Sequence, residues 1–288
     1  MRVVAAYAAM CAIWGTTWLA IKIGLRGLPP VTGSGLRFLI AGIFLAALAR
    51  IVPGPRGTRA SWRAIAILAA ALFGGNYALT YYAETGIASG LVAVLFGTLP
   101  FFVFAFDAML LRKPVAPAAL IGAAIALAGV ALIAIGPDAR ADFPYVAATL
   151  GASALSAFAN VELKLHAASD PFRTLPPAML LAGLVMAAGG IAFEHVDWAA
   201  AGSPSSLTAL VYLAVFGSGI AFSLNHWLLR HLATWAVGIS ALIVPVIAVV
   251  VGAVAGGEAF GIRQLAGAAL VLAGVFLALR SPLGEPAA

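Results

Sequence analysis

Polar and aromatic side chains recur at helical spacing inside stretches that are otherwise apolar. At roughly 100° per residue, Asn76, Tyr77, Thr80, Tyr81 and Glu84 fall within an arc of about 140°. Aromatic rings supply apolar contact area and attract cations such as a ligand's ammonium group, and phenol and indole groups can also hydrogen-bond. Asparagine and threonine can bind the polar groups of an amino acid without carrying a full charge. This chemistry suits the recognition of a small amphipathic solute.

Three other stretches carry related stripes. They contain Met10, Trp14, Thr17, Trp18 and Ile21; Ser153, Ser156, Asn160 and Lys164; and Ser218, Phe222, Asn225 and His226. The Ser153 stripe fits hydrogen bonding between helices as well as it fits a cavity wall. Tryptophans at helix ends fit interfacial belts instead, namely Trp62, Trp198, Trp227 and Trp235. The predicted substrate-binding residues are Trp14, Trp18, Asn76, Tyr77, Thr80, Tyr81, Asn160 and Asn225.

The ionisable residues near these stripes leave alternatives open. Lys22 and Lys164 occupy matching places and either extend to the membrane interface or contact the solute. Glu84 fits a proton-binding site or a charge at the outer mouth. The single cysteine, Cys11, excludes a metal site built from several cysteines, and the four histidines are scattered along the sequence. No metal, cofactor or catalytic residue is therefore predicted.

The composition places these stripes in a membrane. Hydrophobic residues make up 64% of the 288 residues, charged residues 9%, and the mean hydropathy is +1.09, whereas a soluble domain carries about 25% charged residues. These values exclude a soluble enzyme, a disordered scaffold and a nucleic-acid binder, despite the net charge of +6. The expected partners are the lipid bilayer and a small-molecule substrate, with no nucleic acid.

The chain divides into ten apolar segments long enough to cross a bilayer as helices. Their approximate bounds are 3–25, 31–49, 63–83, 87–111, 115–136, 144–166, 174–193, 206–229, 233–255 and 263–280. The first is not a cleavable signal peptide, because Lys22 and the tryptophans interrupt it. The sequence therefore predicts an all-α integral membrane protein of ten transmembrane helices.

Basic residues predict that both termini are cytoplasmic, since such residues concentrate in cytoplasmic loops. With the N-terminus inside, eleven lie at inner ends: Arg2, Arg50, Arg56, Arg59, Arg63, Arg112, Lys113, Lys164, Arg173, Arg230 and Arg280. Five lie at outer ends: Lys22, Arg26, Arg37, Arg140 and Arg263. The acids predicted outside are Glu84, Asp138, Asp142, Glu194, Asp197 and Glu258.

The second half of the sequence repeats landmarks of the first half. Five pairs lie 145 residues apart: Pro100 and Pro245, Gly74 and Gly219, Gly122 and Gly267, Gly129 and Gly274, and Pro137 and Pro282. The predicted halves are residues 1–137 and 138–288, each with five helices. Because five is odd, the second half enters from the opposite face, as in the inverted repeats of secondary transporters, which surround a central site. One inverted pair encloses its own cavity, which predicts a monomer.

The repeated glycines and prolines have structural interpretations. Gly122 and Gly129, and likewise Gly267 and Gly274, share one helix face, which predicts close packing between the halves. Pro100 and Pro245 each remove a backbone hydrogen bond and are predicted to kink their helices.

Four short stretches resemble a known family. They are IWGTTWLAIK at 13–22, LRFLIAG at 36–42, ALTYYA at 78–83 and LFGTLP at 95–100. The chain resembles the ten-helix EamA-type exporters of the drug/metabolite transporter superfamily, and most of all the bacterial aromatic amino acid exporters. The resemblance implies a cavity lined by helices 1, 3, 4, 6, 8 and 9, and export of amino acids or other small metabolites. Many members carry Gly-Glu after helix 4, where this chain has Arg112-Lys113, and here that pair occurs only as Gly257-Glu258.

The predicted function is export of amino acids, aromatic and large neutral ones included, or of related metabolites by alternating access. An exporter of drugs or other metabolites with the same fold is an alternative, as is a membrane-embedded enzyme. An enzyme would need an activated nucleophile or a catalytic cluster, and the sequence has no HExxH or GxSxG motif. A channel would usually need a filter loop or a ring of charged side chains, and neither is visible in the sequence.

Overall fold

A computed structural model of the chain describes residues 1–51, 57–87, 89–112, 116–134, 143–247 and 262–279, and in this part every regular element is a helix. The helices are α1 (Arg2–Gly24), α2 (Pro30–Ile51), α3 (Trp62–Gly86), α4 (Ser89–Phe96), α5 (Leu99–Leu110), α6 (Pro117–Ala134), α7 (Phe143–Leu165), α8 (Pro171–Phe193), α9 (Trp198–Ala201), α10 (Pro204–His231), α11 (Thr234–Ile247) and α12 (Ile262–Leu279). Several residues named above lie outside the described residues: Arg56, Lys113, Pro137, Asp138, Arg140, Asp142, Gly257, Glu258, Arg280 and Pro282.

Six of these helices are long and apolar enough to cross a membrane, namely α1, α2, α3, α7, α8 and α10. Four shorter apolar stretches lie in α5, α6, α11 and α12. The tryptophans predicted at interfaces differ in exposure: Trp62 and Trp198 are 61% and 60% exposed, whereas Trp227 and Trp235 are partly buried.

Helices α2 and α8 pack closely against each other and run antiparallel. A Cβ atom added to Gly183 would lie 2.5 Å from the backbone nitrogen of Leu39, and one added to Gly190 would lie 2.5 Å from that of Thr32. Only glycine permits backbones to approach this closely. At the end of α8, the Glu194 carboxylate accepts hydrogen bonds from the Val31 and Thr32 N–H groups at 2.9 and 2.7 Å. Glu194 thus stabilises the first turn of α2, where backbone donors lack helical partners.

Helices α6 and α12 form a second antiparallel pair of the same kind. A Cβ atom on Gly122 would lie 2.5 Å from the Gly274 carbonyl oxygen, and one on Gly129 would lie 2.6 Å from that of Gly267. The predicted close packing at these four glycines is therefore confirmed.

Two π-helical stretches interrupt α3 and α10 at equivalent places. They cover Leu68–Gly75 and Leu213–Ile220, which are 145 residues apart, like the sequence landmarks. A π-helical turn shifts the register of the side chains that follow it. In both helices the polar stripe begins within a few residues of this shift.

The predicted fourth span, 87–111, is two helices instead of one kinked helix. It breaks between Phe96 and Leu99 because Pro100 has no N–H to donate to the carbonyl of Phe96. Ser153 of α7 donates to that carbonyl at 3.3 Å, and Thr98 donates to the Leu95 carbonyl at 2.7 Å. Ser153 therefore hydrogen-bonds between helices. This is one of the two roles that the sequence allowed for its stripe, the other being a cavity wall.

We predict that Gly129→Leu prevents stable packing of α6 against α12, because its side chain would overlap the backbone of α12. The yield of monodisperse detergent-solubilised protein, measured by size-exclusion chromatography, should fall severalfold. Gly189→Leu is the matched control, since a Cβ atom on Gly189 meets nothing within 4 Å. Equal yields from the two variants would contradict the close-packing interpretation.

Candidate functional site

The polar stripes of α1, α3, α7 and α10 meet around a cavity of about 80 Å³. Phe96 at the end of α4, Leu99 at the start of α5 and residues of α11 complete the wall. The cavity thus brings together residues from helices that are distant in sequence.

The structure brings seven of the eight predicted site residues together. Those that line the cavity are Trp14, Trp18, Asn76, Tyr77, Thr80, Asn160 and Asn225. The wall also contains Thr17, Ile21, Ser156 and Phe222, which belong to the same sequence stripes. Helix α11 contributes Val237, Gly238, Ser240, Ala241 and Val244 to the wall, in agreement with the resemblance, which implies that the ninth helix lines the cavity. These individual residues were not predicted, because the apolar sequence of α11 carries no polar stripe that could have revealed them.

Aromatic rings form much of the cavity wall. Trp14 and Tyr77 pack against Phe222 with ring centroids 5.5 and 6.2 Å apart, and Trp18 packs edge-on against Phe96 at 5.9 Å. Such edge-to-face pairs fix ring orientation. The Trp18 indole N–H is buried and has no hydrogen-bond partner among the described residues.

Four amide and hydroxyl side chains in the wall already hydrogen-bond to one another in two pairs. Asn225 donates to the side-chain oxygen of Asn160 at 2.9 Å, and Asn160 donates to the Ser156 carbonyl at 2.8 Å. On the opposite helix, Thr80 donates to the side-chain oxygen of Asn76 at 3.3 Å. The Asn225–Asn160 bond joins α10 to α7 across the cavity. No charged residue occurs among the described residues of the wall.

Tyr81 does not line the cavity, although helical spacing places it on the same stripe. It is buried against α2, where its hydroxyl accepts a 3.4 Å hydrogen bond from Arg37. Arg37 itself is completely buried, and its Nε donates to the Ser218 hydroxyl at 2.7 Å. From its place in the sequence Arg37 counts among the charges at outer helix ends, and the structure shows that its side chain is buried in the bundle. Counting residues from the helix end could not show that this face of α2 is covered by other helices.

Lys22 and Lys164, which the sequence placed either at the membrane interface or in contact with the solute, donate to backbone carbonyls at helix ends. Lys22 donates to the Glu84 carbonyl at 3.3 Å, and Lys164 donates to the carbonyls of Leu229 and Leu232. Glu84 and Leu229 are themselves 145 residues apart. The two acceptors thus have the spacing of the repeated landmarks, whereas the two lysines are 142 residues apart.

These lysine contacts lie at opposite ends of the bundle. Lys22 is near the end of α1, which leads directly into α2, and Lys164 is near the end of α7, which leads directly into α8. Because α2 and α8 are antiparallel neighbours, their starting ends are at opposite ends of the protein. Each lysine therefore ties a helix of the cavity wall at one end only.

The Glu84 carboxyl group lies outside the cavity wall. It is 1% exposed, and neither of its oxygens has a hydrogen-bond partner among the described residues. Lys22 contacts its backbone carbonyl and not its carboxyl group.

Comparisons with known proteins agree on one family and one fold. Residues 1–135 and 144–280 match the model of the EamA-like transporter family. The chain is 31% identical over 285 residues to the "Uncharacterized inner membrane transporter YedA" of Escherichia coli, covering 94% of this chain and 89% of the relative. It is 25% identical over 284 residues to the "Probable amino-acid metabolite efflux pump" of Salmonella typhimurium, covering 92% and 90%.

A solved crystal structure has the same fold. It superimposes with a TM-score of 0.82 and covers 97% of both chains at 21% identity. At this identity the likeness concerns the fold alone.

We predict that Asn160→Ala and Asn225→Ala have non-additive effects on stability, because both remove the same interhelical hydrogen bond. Their coupling energy should be about 1 kcal/mol, measured as a double-mutant cycle in denaturant unfolding of detergent-solubilised protein. Asn76→Ala is the control, since the Asn76 amide donates to Leu72 within its own helix. It should combine additively with Asn225→Ala. Additivity in the Asn160 cycle would contradict the shared bond.

Proposed function

Because the chain belongs to the EamA-like transporter family, we propose that it exports amino acids, aromatic and large neutral ones included, or related small metabolites. The family prediction made from the sequence is thereby confirmed. Transport would proceed by alternating access to the central cavity.

The neutral lining of the cavity carries the substrate proposal. Aromatic faces at Trp14, Trp18 and Phe222 suit an apolar side chain, and the amides of Asn160 and Asn225 suit backbone groups. A relative whose name assigns it to amino-acid metabolite efflux supports the same class. The relatives bear the names of transporters, which favours transport over membrane-embedded catalysis.

Several observations support two inverted halves of five helices, residues 1–137 and 138–288. The family model matches two ranges, one in each half. The π-helical stretches recur at the 145-residue spacing, and α2 runs antiparallel to α8, as α6 does to α12. An inverted repeat places equivalent parts at the two membrane faces, which suits a carrier with two alternative openings.

We place the protein in the bacterial inner membrane as a monomer with both termini in the cytoplasm. The inner-membrane location is supported by the name of the relative from Escherichia coli. The orientation rests on eleven basic residues at inner ends against five at outer ends in the sequence, a ratio that stays one-sided without Arg37.

The proposal is tested by counterflow in proteoliposomes with purified protein. Labelled phenylalanine should enter faster when the liposomes contain unlabelled phenylalanine, tryptophan or leucine, with and without a pH gradient. Solutes recovered chemically altered would indicate an enzyme. Failure of every common amino acid, together with counterflow of a drug or another metabolite, would indicate the alternative exporter.

We predict that Trp18→Ala lowers the apparent affinity for phenylalanine about fivefold and that for threonine much less. The lost aromatic contact is worth about 1 kcal/mol beyond its buried area. Counterflow is compared at matched protein amounts, and Trp198→Ala is the control because Trp198 is exposed and away from the cavity. Unchanged transport of both amino acids would remove Trp18 from the site.

We predict that the two lysine contacts close opposite ends of the cavity. In a Cys11→Ala background, Ser240→Cys places one thiol in the wall for labelling by a membrane-impermeant reagent. Lys22→Met should raise labelling from one membrane side and Lys164→Met from the other. Each change should be about fivefold, which corresponds to losing about 1 kcal/mol of hydrogen bonding.

Lys22→Arg is the control for this experiment, since it keeps the charge and the donor. Increased labelling from the same side in both methionine variants would contradict the assignment of the lysines to opposite ends.

A further inference from the structure

Arg37 is a buried cation with unused hydrogen-bonding capacity. Its Nε and Nη1 donate to Ser218 and Tyr81, whereas Nη2 has no hydrogen-bond partner among the described residues. The described residues also give Arg37 no ion pair with a carboxylate. A charge inside a membrane protein is costly, and such charges usually face a pathway or a partner.

This guanidinium group lies one layer behind the cavity wall. Its central carbon is 4.6 Å from the ring centroid of Tyr77, which lines the cavity. Its Nη2 is 3.2 Å from the point where a Cβ atom on Gly217 would lie, and the Thr17 methyl group is 2.9 Å from that point. Thr17 also lines the cavity. The missing side chain at Gly217 therefore leaves Nη2 beside the wall.

Arg37 is a buried cation beside this part of the wall, whereas Lys22, which donates to the Glu84 carbonyl, is exposed. The Glu84 carboxyl group is also buried, but it forms no ion pair with Arg37 among the described residues. In the low-dielectric interior the unpaired charge of Arg37 acts across a residue layer more strongly than it would in water.

We propose that Arg37 makes the wall formed by Tyr77 and Thr17 a binding subsite for the carboxylate of the transported solute. The solute's apolar part would then lie against Trp14, Trp18 and Phe222. Arg37 is a positioning residue here, because it acts through Tyr77 and Thr17. This inference rests on the proposed function, since it assigns a polar end to the same cavity and restricts the substrates to carboxylate-bearing solutes.

The proposal is tested by isothermal titration calorimetry of purified full-length protein with two pairs of solutes. Phenylalanine is compared with phenylalaninamide, and 3-phenylpropionate with 3-phenylpropionamide. The native protein should bind each acid about tenfold more tightly than its amide, as expected for a hydrogen bond strengthened by charge. Equal affinity for acid and amide in the native protein would overturn the subsite without any variant.

Two variants distinguish this role from a purely structural one. Arg37→Met should abolish the preference for the acid while binding of the amide stays within about twofold, because only the charge is lost from the wall. Gly217→Ala should also reduce the preference, since its methyl group would lie 2.9 Å from the Thr17 methyl group and 3.2 Å from Nη2 and would displace them from each other. This variant keeps the proposal testable if Arg37→Met does not fold. Arg26→Met is the control, because Arg26 is exposed at the end of α1.

A preference for the acid that survives in both variants, or an equal loss of acid and amide binding in Arg37→Met, would overturn the proposal. The solute pairs separate this result from failure of the proposed function. If phenylalanine is not transported but 3-phenylpropionate is preferred through Arg37, amino-acid export is wrong and the carboxylate subsite stands. If phenylalanine and its amide are transported equally well, the subsite is wrong and amino-acid export stands.

Discussion

The close antiparallel contact of α2 with α8 holds the parts of this protein in register. Glycine at Gly183 and Gly190 lets the two backbones meet, and larger side chains at these positions would separate them. The helices of the cavity wall connect directly to this pair, through short links from α1 to α2 and from α7 to α8. The antiparallel direction therefore sets Lys22 and Lys164 at opposite ends, and the cavity lies between them.

Backbone carbonyls that lose their helical partner need another hydrogen-bond donor, and this requirement shapes the helices around the cavity. Inside a membrane protein, no bulk water replaces a lost helical hydrogen bond, so another group must supply it. Pro100 breaks the fourth span, and Ser153 of α7 bonds the carbonyl that it leaves. The same bond brings Phe96, at the end of α4, to the cavity wall. A structural requirement of the backbone thus places a residue of the candidate site.

Charge is arranged in layers around the cavity. The described wall is neutral, with aromatic rings and amides, while Arg37 and Glu84 are buried behind it. Keeping the charges one layer away lets them act on a solute electrostatically while hydrogen bonds from Ser218 and Tyr81 hold Arg37 in place. The neutral wall still offers apolar contact, which a ring of charged side chains would not.

The sequence alone determined the membrane environment and which side chains share a face of one helix, because both depend on local composition and spacing. It therefore predicted the polar and aromatic faces to which Trp14 on α1, Asn76 on α3 and Asn225 on α10 belong. Only the tertiary structure decided which neighbour fills each face. Tyr81 has the spacing of a cavity residue, yet α2 covers it, and Arg37 is buried because its face of α2 packs against other helices. Such neighbours come from contacts between distant segments, which the periodicity of a single helix does not contain.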